Sequence, residues 1–172
     1  MVNAGAEANS ECLWYALHVR YRHERAVERA LNGLGYPAFS PHYQMKRKRA
    51  DRTKIIAVPL FPGYVFSHFQ AERRLPILKI SGVVSVVGAG NIPEAITTSE
   101  IESLQALVKS SRSVQPWPFL KAGHKIRIAA GALAGVEGIL LEVKNQYRLI
   151  VSVTLLQRSV AVTIDQDSVV PF

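Results

Sequence analysis

Leu60-Phe61-Pro62-Gly63-Tyr64-Val65-Phe66-Ser67-His68-Phe69 is the stretch on which the fold turns. Pro62-Gly63 breaks regular structure, and the aromatic, β-branched run after it predicts a strand with apolar residues on both faces. Upstream, Leu13-Trp14-Tyr15-Ala16-Leu17-His18-Val19 reads as a buried strand. Residues 22–34 read as a helix with Ala26, Val27, Ala30, Leu31 and Leu34 on one face, closed by Gly33, Gly35 and Pro37. Residues 38–45 read as a second strand interrupted by Pro41, residues 46–54 as a polar basic connection, and residues 55–58 as resumed extended structure. Together these form a hairpin with a charged tip. Downstream, residues 71–79 suit a short helix limited by Pro76, and residues 83–87 a further strand. Thr97 and Glu100 have capping-box spacing before a helix carrying Ile101, Leu104, Leu107 and Val108 on one face. The order β-α-β-β-α-β-α predicts an α+β domain with a small, mostly antiparallel sheet and flanking helices.

Beyond Lys109 the composition changes. Ser110-Ser111-Arg112-Ser113-Val114-Gln115-Pro116-Trp117-Pro118 is Ser- and Pro-rich and reads as a linker. Short strands then follow at residues 124–128, 138–143, 148–154, 159–163 and 168–170, a spacing that predicts a small all-β barrel. The expected organisation is a disordered tail over 1–11, an α+β domain over 12–110, a linker over 111–118 and the barrel over 119–172.

The chain has 172 residues, 48% of them hydrophobic, and a net charge of +8. That apolar content suits globular folding. One cysteine, Cys12, excludes a disulfide framework and points to a reducing compartment. Neither a secretory leader nor an apolar run of membrane-spanning length is present, so the expectation is a cytoplasmic, monomeric protein without a membrane partner. Ten basic residues lie between Arg20 and Lys54 against three acids, which places +7 of the charge in that segment. Such concentration suits either a phosphate-facing patch or a hairpin kept soluble by its own charge.

Two patches resemble a known family. Trp14-Tyr15 and Phe61-Pro62-Gly63-Tyr64-Val65-Phe66 lie in the first domain; Lys121-Ala122-Gly123-His124-Lys125-Ile126-Arg127-Ile128, Gly131 and Gly138-Ile139-Leu140-Leu141 lie in the second. Together they resemble the NusG family of transcription elongation factors, in which an NGN domain precedes an SH3-like KOW barrel. The resemblance implies docking of Trp14, Phe61, Pro62 and Tyr64 on the clamp helices of bacterial RNA polymerase. Aromatic side chains suit that role, since each buries a large area with few rotors. It further implies that Leu133, Val136 and Ile139 of the KOW barrel meet a further partner, either Rho or a ribosomal protein.

Val58-Pro59 before Leu60-Phe61-Pro62, and the single short basic hairpin, look like the specialised RfaH- and UpxY-like branch of operon-specific antiterminators. In that branch a basic NGN surface reads the non-template DNA strand, and Arg20, Arg22, Lys46, Arg47, Lys48 and Arg49 are the matching candidates. The threonine-rich motif of RfaH is replaced by Arg73-Arg74-Leu75-Pro76. Dense β-branched residues between Ile150 and Ile164 favour a stable barrel over a refolded helical hairpin. The alternatives are a housekeeping factor coupled to Rho or the ribosome, and a KOW-containing ribosomal or RNA-binding protein. The five histidines are dispersed, and no metal-ligand, nucleophile or phosphate-loop spacing occurs. No catalytic residue, metal or cofactor is therefore expected.

Overall fold

A computed structural model describes residues 11–120, 122–165 and 169–171. The expected tail over 1–11 falls almost wholly outside them. The elements run β1 (Leu13–Val19), α1 (Glu24–Gly33), β2 (Ala38–Phe39), β3 (His42–Arg49), β4 (Arg52–Pro59), β5 (Tyr64–Phe69), α2 (Leu75–Leu78), β6 (Val83–Val86), β7 (Gly88–Ala89), β8 (Ile92–Pro93), β9 (Ala95–Ile96) and α3 (Thr98–Lys109). Then come β10 (Val114–Trp117), β11 (His124–Ile128), β12 (Glu137–Val143), β13 (Gln146–Val153), β14 (Arg158–Ile164) and β15 (Val169–Pro171).

The first sheet has the order β2-β5-β1-β6, with β9 also on β1, and every pairing is antiparallel. Strand alternation gives it two different faces. Tyr15, Leu17, Val65 and Phe69 point to one face, where Val27 and Leu31 of α1 and Ile77 of α2 close a core. Ala16 and Phe66 point to the other, where Ile101, Leu104 and Leu107 of α3 pack. Val108 is exposed and off that face, unlike the sequence expectation. The Tyr15 phenol is pushed above its ordinary value by burial first, with Glu72 and Cys12 adding to the effect, so it stays neutral at physiological pH.

The second sheet is six-stranded, in the order β10-β14-β13-β12-β11-β15. Lys144 and Asn145 (φ 50° and 58°) make the two-residue turn between β12 and β13, the conformation a tight hairpin requires. A Cβ on Gly138 would strike the carbonyl oxygen of Ile150 on β13, so β12 can approach only with glycine there. The buried cluster on the α3 face runs without a break into this unit, through Ile126, Leu133, Val136, Leu149, Val151 and Val160. The two units therefore share one apolar core.

Two further expectations are corrected. Val114–Trp117 is a strand paired with Ser159–Val162, not an irregular linker, so the all-β unit begins before residue 119. Pro116 is tolerated because β10 is an edge strand, where a missing N–H costs no ladder bond. The basic segment 46–54 is also ladder and not loop. Lys46–Arg49 pair with Arg52–Ile55, leaving only Ala50-Asp51 as the turn.

Candidate partner-binding surface

Phe61-Pro62-Gly63-Tyr64 forms a β-turn closed by the Tyr64 N–H donating to the Phe61 carbonyl at 3.1 Å. Pro62 sits where a fixed negative φ helps, and Gly63 has φ +82°, the positive value required at the next position. Two further bonds fix the turn to its neighbours. The Val19 N–H donates to the Gly63 carbonyl at 2.8 Å, and the Gly63 N–H donates to Glu24 Oε1 at 2.9 Å. Glu24 opens α1 and is only 3% exposed. A carboxylate at a helix N-terminus is favoured by the helix dipole, which offsets part of the cost of burying it. Sequence reasoning missed Glu24 altogether, because its partner lies 39 residues away.

The register of β1 against β5 puts Trp14 opposite His68, Ala16 opposite Phe66 and His18 opposite Tyr64, all on the α3 face. Phe39 of β2 opposes Phe66 and joins them. The rings make a continuous series. Trp14 meets Phe39 edge-on at 5.8 Å, Phe39 meets Phe66 at 5.2 Å, and Phe66 meets Phe61 edge-on at 5.3 Å. Trp14 also lies 5.2 Å from His68, and Tyr64 lies 5.7 Å from His18. Trp14, Phe61 and Tyr64 are thus brought to one surface, with Pro62 exposed beside them.

That surface is covered in part by the chain's own second unit. Phe61 is 1% exposed and belongs to the shared core. The Arg158 guanidinium of β14 stands 5.5 Å from the Tyr64 ring centroid. Glu100 of α3 accepts from Thr154 twice, from N–H at 3.1 Å and from Oγ1 at 2.9 Å. The capping box expected from Thr97 and Glu100 is half formed. Thr97 Oγ1 accepts from the Glu100 N–H at 3.4 Å, while the Glu100 carboxylate reaches across to the second unit.

Leu133, Val136 and Ile139 are buried at 3%, 3% and 8% exposure. Leu133 packs in the shared core. Val136 and Ile139 line a cleft of about 790 Å³ between α3 and the second sheet, with Glu100, Glu102 and Ser103 opposite.

The basic candidates fall on two elements. Arg20 and Arg22 flank Tyr21 between β1 and α1; Arg22 has φ +66° and its guanidinium stands 5.2 Å from the Tyr21 ring centroid. Lys46, Arg47, Lys48 and Arg49 lie exposed on β3, which with β4 forms a separate two-stranded ribbon. Among the described residues no cluster of His, Cys, Asp or Glu could hold a metal ion, and no helix is long and apolar enough to cross a membrane.

Residues 13–105 match the family model described as "Transcription termination factor nusG". No curated protein matches the chain at the level of sequence. The fold is similar to that of a solved structure described as "Domain interaction in Thermotoga maritima NusG". The likeness covers 92% of this chain and 96% of that one, with a TM-score of 0.52 and 18% identity. At that identity the likeness is one of fold.

Proposed function

The chain belongs to the NusG family of transcription factors, and from that premise we propose that it binds RNA polymerase through the aromatic face of its first sheet and promotes elongation or antitermination. The observation that carries this reading is the aromatic series from Trp14 through Phe39 and Phe66 to Phe61, whose inner rings are buried against α3 and the second unit while Trp14, Phe39 and the adjoining Tyr64 are only half-buried. Aromatic rings at such a site supply most of the binding energy of a helix-docking surface. The second unit, read as a KOW barrel, serves a further partner, Rho or a ribosomal protein, through the region of Leu133, Val136 and Ile139. Leu133, Val136 and Phe61 are buried in one core, with Ile139 in a separate cluster of the second unit, so in this reading both partners engage once the two units separate. The factor thus waits closed and opens on polymerase.

The specialised reading, an operon-specific antiterminator, draws support from the basic ribbon. Tagged protein concentrated on one or a few operons would support it; occupancy of nearly all transcribed genes would return the reading to a housekeeping factor. The docking face is tested by pull-down of polymerase with Trp14→Ala combined with Tyr64→Ala, two side chains that are only half-buried. Loss of polymerase by a variant that still melts cooperatively, at a lowered midpoint, is the expected result, and full retention would remove the docking site from this face.

A further inference from the structure

The charge of the β3–β4 ribbon is sorted by face. In an antiparallel ladder directly opposed residues share a face, and successive pairs alternate. Arg47 opposes Lys54 and Arg49 opposes Arg52, so one face carries four cations and no acid. Lys46 opposes Ile55 and Lys48 opposes Thr53, so the other face carries only two. All eight side chains are exposed. The run of basic residues in the sequence therefore divides differently in space. Arg52 and Lys54 join Arg47 and Arg49, while Lys46 and Lys48 turn away.

This arrangement does nothing for the ribbon's own stability. Like charges directly opposed across a ladder are destabilising, and among the described residues none of the four cations has an ion-pair partner. Toward the base, the same face continues through Met45 with Ile56 and Tyr43 with Val58, and Tyr43 packs on the shared core. The cations thus lie outward of the ribbon face whose base, at Tyr43, packs on the shared core.

Shape narrows the partner further. Strands about 4.8 Å apart make a ribbon that enters the major groove of B-form DNA, about 12 Å wide. The deep, narrow major groove of an RNA duplex excludes it. Single-strand binders rely on aromatic stacking platforms, and residues 46–55 hold no aromatic side chain. We propose that the ribbon lies in the major groove of duplex DNA with the Arg47, Arg49, Arg52 and Lys54 face toward it. The inference deepens the DNA-facing part of the functional reading and rests on it, but moves the contact from a displaced strand to the duplex.

Two charge-matched double variants of the full chain test it, by fluorescence anisotropy with a DNA duplex, its single strand and an RNA duplex of the same sequence, over a salt series. Arg49→Gln with Arg52→Gln should weaken duplex DNA binding at least about tenfold near 0.1 M salt. It should also flatten the slope of log affinity against log salt by about 1.8. Lys46→Gln with Lys48→Gln should change affinity less than about twofold and keep the slope. The conservative pair Arg49→Lys with Arg52→Lys should keep most of the salt slope. Equal losses from the two Gln doubles would overturn the proposal, as would tighter binding of the single strand or of the RNA duplex. Polymerase pull-down separates this from the parent reading. Unchanged DNA binding by Arg49→Gln/Arg52→Gln, with polymerase still captured, defeats the groove contact and leaves the docking face standing.

Discussion

The Phe61–Tyr64 turn and the β3–β4 ribbon are two partner-binding candidates built on opposite principles. The turn is apolar, tied by three hydrogen bonds, and lies against the chain's own second unit. The ribbon is cationic and exposed, and among the described residues its two strands pair only with each other. An apolar surface held open in water is a liability, so a fold can cover it until its partner arrives. A charged surface is well solvated and needs no cover. Concealment and exposure in this molecule thus follow from the chemistry of each surface.

Leu104→Ala attacks the covered side of the comparison most directly. It removes a 1%-exposed side chain from the core the units share and should cost about 2–5 kcal/mol, seen as a lowered denaturation midpoint. Glu24→Ala leaves the Gly63 N–H without its buried acceptor and should cost about 1–3 kcal/mol. Glu24→Gln, which retains an acceptor oxygen, should cost less, and equal losses would mean the carboxylate does not hold the turn. Thr154→Val with Arg158→Ala removes the Oγ1 hydrogen bond to Glu100 and the guanidinium contact with the Tyr64 ring, at about 1 kcal/mol each, and leaves the Thr154 N–H donating to Glu100. Its sharper readout is capture of polymerase, which should rise because the aromatic face is uncovered more often; unchanged capture would sever concealment from function. The smallest effect belongs to the open side. Arg52→Glu turns a like-charged pair with Arg49 into an opposite pair and should stabilise the ribbon by about 0.2–1 kcal/mol. A drop in stability there would show that the cations are not in conflict.

The turn was legible because its signal is local. Pro62 and Gly63 state their backbone angles directly, and the alternation of Tyr64–Phe69 states its two faces. The hairpin itself was legible, but residues 46–54 read as its tip because consecutive cations are poor strand formers, whereas the pairing runs on to the two-residue turn at Ala50-Asp51. β10 was misread for the same kind of reason. Pro116 and Pro118 signal irregular chain, yet an edge strand accepts Pro116 and ends before Pro118. Glu24 and Arg158 carry no local signal at all; their roles exist only once distant segments meet. Leu133 stood out only as a partner contact implied by the resemblance, and its burial depends on packing across the two units.

Glu100 has a consequence for the ease of opening. It occupies the third position of α3, from which a glutamate can accept a hydrogen bond from the backbone N–H of the capping residue, here Thr97. In the closed arrangement the carboxylate is engaged with Thr154 instead. When the units part, it has a second home one helical turn away. The helix start is then completed by the same oxygen atoms that had bridged to the second unit. Separation thus exchanges one set of hydrogen bonds for another, and the Thr97 amide should be slower to exchange with solvent in the open form than in the closed one.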